Sequence, residues 1–282
     1  MQTFSSKEDL RNHLSSLRHG NKVVLVPTMG ALHNGHKSLL VKARELAGSD
    51  GVVVASVFVN PIQFDNASDL ATYPRQLDND LALCSSVGVD VVFTPTPEIM
   101  YASDRSIKVT EASLSTKLCG ASRPGHFDGV CTVVSKLFNL VQPTDAIFGK
   151  KDFQQLAIIR RMVRDLDFPI TIHGVEIVRE GSGLALSSRN ARLTPTQKAN
   201  AVILRHSLLH AQEEYKKGQS LNAIKAEALA SISAVEETRV DYVEIVNAET
   251  MQNLDDNDHS TPALMAVAVF FGDVRLIDNI EL

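Results

Sequence analysis

Two imidazoles three residues apart carry the first chemical signal. His33-Asn34-Gly35-His36 ends the stretch that begins Pro27-Thr28-Met29-Gly30-Ala31-Leu32. A short β-branched run, 23–26, precedes it, and a helical stripe of Leu39, Leu40, Ala43 and Leu46 follows. A His-x-Gly-His set at that point lies at a helix N-terminus, where unpaired backbone N–H groups and the positive dipole end favour anions. Gly30 and Gly35 let backbone approach a ligand with no Cβ in the way. The chemistry is that of a polyphosphate cradle; the competing reading is a glycine turn with two surface histidines. Within the same stretch, Gly30-x4-Gly35-His36-Lys37-Ser38 imitates a P-loop. His36 intrudes between glycine and lysine, and one inserted residue turns Lys37 by about 100° around a helix, away from the phosphates.

Further polar groups follow the ends of later strand patterns. The run 52–59 ends in Asn60-Pro61-Ile62-Gln63; the Asn60 and Gln63 amides can bond hydroxyl, carboxylate and amine groups alike, although Asn-Pro is also an ordinary turn signal. The run 146–148 ends in Gly149-Lys150-Lys151-Asp152. A lysine there is a point charge for phosphate, and Asp152 also stands where a helix cap belongs. Leu186-Ser187-Ser188-Arg189 offers two hydroxyls and a guanidinium, either a phosphate clamp or a polar loop before the next helix. His206 and His210 have metal-pair spacing, but Ser207 replaces the glutamate of a zinc-protease motif and no third ligand is evident. Gly181-Ser182-Gly183 is half a dinucleotide fingerprint, with Leu186 where the third glycine belongs.

The elements that must position these groups alternate. Helical stripes at Leu10, Leu14 and Leu17, at Leu77, Leu81 and Cys84, at Val130, Val133, Val134, Leu137 and Val141, and over 153–166 are interleaved with strand-like runs at 23–26, 52–59, 89–93, 146–148 and 170–173. Such alternation argues for a parallel sheet with helices on both faces, and ligands of that architecture bind beyond the carboxyl ends of the strands. The last third changes character. Thr194-Pro195-Thr196-Gln197 has the residues of a capped start for one long helix stopped by Gly218. A second helix carries Leu221, Ile224, Leu229 and Ile232, and strand candidates follow at 240–246, 263–271 and 274–277.

Composition narrows the classes. The 282-residue chain has a net charge of −5, unsuited to general nucleic-acid binding because phosphate affinity comes mainly from positive charge. The longest apolar runs, 52–59 and 263–271, fall well short of the roughly 18 residues that span a bilayer, so no membrane role is expected. The N-terminus lacks the basic-then-apolar pattern of a secretion signal. Cys84, Cys119 and Cys131 have no CxxC spacing and read as reduced thiols of a cytosolic protein without a zinc site.

Taken together, the motifs resemble the pantoate–β-alanine ligase family. The resemblance rests on Pro27-Thr28-Met29-Gly30 through His36, Phe58-Val59-Asn60-Pro61 through Phe64, Tyr73-Pro74-Arg75, Arg123-Pro124-Gly125-His126-Phe127, Lys151-Asp152-Phe153-Gln154-Gln155 and Leu186-Ser187-Ser188-Arg189-Asn190, in family order, with a weaker echo in Gly272-Asp273-Val274-Arg275-Leu276-Ile277-Asp278-Asn279. It implies a Rossmann-like doubly wound parallel sheet over 1–177 that binds ATP and pantoate, and a smaller C-terminal α+β lid domain over 178–282. It implies a cytoplasmic homodimer that uses ATP and Mg²⁺ to join pantoate to β-alanine through a pantoyl-adenylate. By motif match, Met29, Gly30, Ala31, Leu32, His33, Asn34, Gly35 and His36, then Gly149, Lys150, Lys151 and Asp152, then Val178, Leu186, Ser187, Ser188 and Arg189 would bind ATP. His36, His33, Lys151 and Arg189 would act in catalysis, Gln63, Gln155 and Asn60 would hold substrate, and Asp80 would be the metal candidate. Two positions depart from the family pattern: Lys150 stands where glutamate is usual, and Asn79 where an acid is common. From the residues alone, another His-x-Gly-His nucleotidyltransferase or a non-catalytic nucleotide-binding protein remains an open alternative.

Overall fold

The computed structural model describes residues 1–18 and 20–282. Two compact units emerge: one comprises Met1–Glu111, Arg123–Lys150 and Ile158–Glu176, the other Ala112–Ser122, Lys151–Ala157 and Ile177–Leu282.

The first unit is built on a six-stranded, all-parallel sheet. Its strands are β1 (Gln2–Phe4), β2 (Val23–Thr28), β3 (Val52–Val57), β4 (Val91–Phe93), β5 (Asp145–Gly149) and β6 (Thr171–Val175), in the order β1-β4-β3-β2-β5-β6. Val23 to Val26 and Val52 to Ala55 are all buried. Helices cover both faces of these strands, so the sequence shows unbroken apolar runs instead of alternation. Val24 and Val26 pack with Leu40, Ala43 and Ala47 of the Asn34–Ala47 helix and with Cys84 of the Leu77–Ser86 helix. Strand alternation points Val23 and Leu25 to the opposite face. The His126–Val141 helix packs against the Lys7–Leu17 helix and β2. Its C-terminal end is held by Arg18, which donates to the Val141 carbonyl at 2.6 Å and to Gln142 Oε1 at 2.7 Å, satisfying carbonyls that the helix itself cannot.

The strand order fixes where a ligand belongs. After β2 the chain winds through β3 to β4 on one side; β5 pairs with the other edge of β2 and leads outward to β6. The connections therefore diverge between β2 and β5. Such a switch point opens a crevice at the carboxyl ends of the strands, here bordered by residues 29–36 and 149–150.

The second unit carries an antiparallel sheet, β7 (Thr238–Asn247), β8 (Ala263–Phe271) and β9 (Val274–Glu281), in that order. The Ile203–Lys216 and Leu221–Ser233 helices bury Leu204, Leu208, Ala211, Ile224, Ala228 and Ile232 with Val267, Val269 and Phe271 of the sheet. The single long helix expected after Thr194 is two helices, Pro195–Asn200 and Ile203–Lys216. At the junction, Val202 and Leu204 donate to carbonyls three residues back, which tightens the turn to 3₁₀ geometry, and Ala201 is fully buried there.

Candidate active site

The loop after β2 is held by its own backbone and by one carboxylate. Thr28 Oγ1 donates to the Ser56 carbonyl at 2.7 Å and accepts from Gly30 N at 3.2 Å. Gly30 and Ala31 then take φ values of +83° and +51°. Two successive left-handed residues turn the Ala31 and Leu32 N–H groups in one direction, a conformation that is unfavourable for alanine. Asp80 stabilises it: its two oxygens accept from Ala31 N at 3.0 Å and Leu32 N at 2.7 Å. The side chain is 1% exposed. Burial raises the Asp80 carboxyl above its usual range, against the opposing pull of the two amide bonds. A Cβ on Gly30 would lie 2.9 Å from Asp80 Oδ2 and 3.1 Å from Val57, so only glycine fits.

His33 is the cap of the Asn34–Ala47 helix. Its Nδ1 accepts from Gly35 N at 3.1 Å, and His36 Nδ1 accepts from His33 N at 3.3 Å. The rings are 4.2 Å apart and half-buried. Because each Nδ1 faces a backbone donor, the neutral rings carry their protons on Nε2. The sequence thus places two oriented imidazole donors at a helix N-terminus on the switch point. Asn34 and Lys37 are exposed, while Met29 and Gly35 are half-buried.

Beyond β3 the polar groups interlock. Asn60 and Gln63 bracket a 3₁₀ turn, Pro61–Gln63, and are buried. Asn60 Nδ2 donates to Gln63 Oε1 at 2.9 Å and to the Gly129 carbonyl at 3.1 Å. Gln63 Nε2 reaches Met29 Sδ at 3.0 Å, so the second strand loop touches the first. The Arg123-Pro124-Gly125-His126 motif closes over the same turn. His126 Nδ1 lies 2.7 Å from the Gln63 carbonyl, and Arg123 lies 3.2 Å from His126 Nε2 and 3.2 Å from Asp65. A guanidinium cannot accept, so His126 Nε2 accepts from Arg123 and Nδ1–H donates to Gln63. Gly129 permits the approach: a Cβ there would sit 2.4 Å from the Ile62 carbonyl oxygen.

After β5, Gly149 is half-buried and Lys150 Nζ pairs with Glu176 at 2.6 Å. This partner accounts for the extra positive charge at the position where the family resemblance leads one to expect glutamate.

In the second unit, Lys151 and Gln155 are half-buried and Asp152 is exposed. The Lys151 carbonyl accepts from Asn279 Nδ2 at 2.9 Å. The neighbouring Asp278 grips Arg179 bidentately at 2.7 and 2.9 Å. Arg179 begins a hairpin-like loop in which Leu186 N donates to the Val178 carbonyl at 2.9 Å. Ser187 Oγ caps the Ser188–Arg192 turn by accepting from Arg189 N at 3.2 Å. Two adjacent residues of β9 thereby hold both Lys151 and the base of the loop that carries Ser187, Ser188 and Arg189. The C-terminal echo motif pointed to these residues but gave them no task.

Sequence reasoning missed Tyr101, Gly129 and the anchoring work of Asp278 and Asn279. Asp80, the metal candidate by family resemblance, has each of its two oxygens bonded to a loop backbone amide. Among the described residues there is no group of three or more His, Cys, Asp or Glu able to hold a metal ion. His210 instead pairs with Glu227 at 3.1 Å on an exposed helix face.

The profile of the Pantoate-beta-alanine ligase family matches residues 2–281. The chain is 66% identical to a pantothenate synthetase of Akkermansia muciniphila and 49% identical to one of Corynebacterium glutamicum, each over the full length of both proteins. A pantothenate synthetase structure from Thermus thermophilus superposes with a TM-score of 0.92 at 45% identity, covering 100% of this chain and 99% of that one. A pantoate-beta-alanine ligase from Francisella tularensis, solved complexed with beta-gamma ATP and beta-alanine, gives 0.82 at 33% identity, covering 100% and 97%.

Proposed function

This chain belongs to the pantoate-beta-alanine ligase family, and we propose that it joins pantoate to β-alanine at the expense of ATP, releasing AMP and pyrophosphate. The observation that carries the site assignment is the pair of half-buried imidazoles capping a helix at the switch point of the parallel sheet.

The proposed chemistry needs no protein nucleophile. The pantoate carboxylate, with a pKa of about 4, is ionised at neutral pH and attacks the ATP α-phosphorus. The bond to the β-phosphate oxygen breaks, leaving pantoyl-adenylate and pyrophosphate. What the chain supplies is donors and positive charge where charge accumulates. His33 and His36 donate from Nε2, and Lys151, Ser187, Ser188 and Arg189 act on the pyrophosphate. Met29, Gly30, Ala31, Leu32, Asn34, Gly35, Gly149, Lys150, Asp152, Val178 and Leu186 complete the proposed nucleotide-binding set; Gln63 and Gln155 hold the acid, and Asn60, buried with its amide bonded to Gln63, Gly129 and Tyr101, acts from behind Gln63. In the second step the β-alanine amine attacks the acyl carbonyl, the acyl–phosphate bond breaks, and AMP leaves.

Magnesium, implied by the family resemblance, belongs with the nucleotide phosphates, where it keeps several waters. Among the described residues no group of three or more His, Cys, Asp or Glu offers a resident metal site, and Asp80 is buried with both oxygens on backbone amides; no step above runs through the ion. The proposal extends to a cytoplasmic homodimer. Three buried, unbridged cysteines support a reducing compartment, and among the described residues no helix is long and apolar enough to cross a membrane.

The test is AMP release from ATP and Mg²⁺ with pantoate, β-alanine, both or neither. AMP that requires both substrates supports the ligase. A product that retains the nucleotide, or binding without turnover, refutes it.

A further inference from the structure

Tyr101 lies outside every motif above, yet its hydroxyl is 2.7 Å from Asn60 Oδ1. The polarity of the hydrogen-bond chain beyond it follows from chemistry. The Gly129 carbonyl can only accept, so the Asn60 atom 3.1 Å from it is the nitrogen. Asn60 Oδ1 therefore faces Tyr101, and the phenol must donate. The second Asn60 N–H goes to Gln63 Oε1 at 2.9 Å, which turns Gln63 Nε2 toward Met29 Sδ at 3.0 Å. The thioether is a weak acceptor, consistent with an amide nitrogen on that side. Both ends of the relay agree.

We propose that Tyr101 is a positioning residue for the acid substrate: through Asn60 it holds the Gln63 amide with its N–H groups, not its carbonyl, toward the ligand. The inference rests on the reading of Gln63 as a pantoate residue. An amide presented this way donates to a carboxylate or hydroxyl oxygen, while the reversed amide would set a carbonyl against an anion. Asn60 is 1% exposed and Gln63 8% exposed, so neither amide can replace a lost partner with bulk water. The Tyr101 ring packs 6.2 Å from Phe58, with the Arg105 guanidinium 5.2 Å and the Lys136 ammonium 5.7 Å from its centroid. Burial holds the phenol well above its ordinary value, so it remains a donor across the neutral range.

Tyr101→Phe removes the hydroxyl and keeps the ring. The expected result is a pantoate KM raised about tenfold, with the ATP KM and kcat changed by less than about twofold, and a melting temperature lowered by a few degrees because Asn60 Oδ1 loses its buried partner. Asn60→Asp keeps an acceptor toward Tyr101 but loses the donor to Gln63, and should raise the pantoate KM at least as far. Gln63→Ala, assayed in parallel, tests the underlying reading. If Gln63→Ala raises the pantoate KM while Tyr101→Phe and Asn60→Asp do not, the positioning role is overturned and the site reading stands. If Gln63→Ala leaves the pantoate KM unchanged, both fall. A Tyr101→Phe effect spread evenly over the pantoate KM, the ATP KM and kcat also overturns the proposal.

Discussion

Gly129→Ala sets two effects of known size against each other. Glycine within a helix costs about 1 kcal/mol relative to alanine, so propensity alone says the substitution stabilises the His126–Val141 helix. Contact geometry says otherwise. The new Cβ would meet the Ile62 carbonyl oxygen at 2.4 Å, Gln63 Cα at 2.6 Å and Gln63 N at 2.7 Å, where ordinary contact begins at 3.4 Å. These are backbone atoms and cannot swing aside, so helix and turn must separate by about 1 Å. Overpacking of this kind costs about 1–3 kcal/mol. The separation also strains the Asn60 bond to the Gly129 carbonyl, and an unpaired buried donor costs about 1–3 kcal/mol more. The steric loss exceeds the propensity gain, leaving a net destabilisation of about 1–5 kcal/mol, several degrees in melting temperature. Because the turn carries Gln63, activity should fall as well; a displacement near 1 Å can cost about 100-fold. Scanning fluorimetry and pantoate-dependent AMP release measure the two effects. A variant that melts at or above the parent temperature with an unchanged pantoate KM would refute the argument that this helix must touch the turn.

His36→Ala removes one proposed donor to the departing pyrophosphate and should slow pantoate-dependent ATP–pyrophosphate exchange by about 10²–10³; near-parental exchange in a folded variant excludes the role. Arg179→Ala leaves Asp278, 3% exposed, without its bidentate partner, a loss of about 3–5 kcal/mol readable by denaturant unfolding. Burial raises the Asp145 carboxyl, but the hydrogen bonds from His173 and Thr144 outweigh it and hold the group below its ordinary 3.8. A depressed carboxyl stabilises the fold above that value and loses the contribution as pH falls through the folded value. The melting-temperature gap between the parent and Asp145→Asn should therefore narrow as pH drops from about 5 toward 3; a constant gap argues against it.

What the sequence revealed follows what local rules govern. The capping box at Thr194 and Gln197 forms as spelled, each side chain bonded to the other's backbone, because its partners are three residues apart. The strand runs were readable because burial on both faces leaves continuous apolar segments, and the strand-end loops follow from that order. At the first helix, Ser5-x-x-Glu8 has capping-box spacing, but the cap lies one residue later: Ser6 Oγ accepts from Asp9 N, because a neighbouring serine and acid repeat the same spacing one position along. Long-range partners left no local trace. β1 is three residues long and exists through its pairing with β4. Gly129 looks like a helix weakness until the Ile62 turn is seen against it. Asp80 is a metal candidate only through the family resemblance, which Asn79 beside it weakens, and only the three-dimensional structure reveals the two amides bonded to its oxygens. Tyr101 carried no spacing signal, since its one informative contact is with a residue on a different strand loop.

The strand leading into the histidine loop has neighbours made at very different times. Val24 of β2 pairs with Val53 of β3 soon after both are synthesised, but its other partner is Asp145 of β5. During translation the middle of the sheet therefore has a bare edge through most of the first unit's synthesis, the kind of exposed template that recruits other chains. Slow closure is inherent to such distant pairings. A ribosome-bound fragment ending before residue 145 should retain a raw sheet margin and depend on a chaperone to shield it. The crevice between the β2 and β5 loops can form only when that late strand docks.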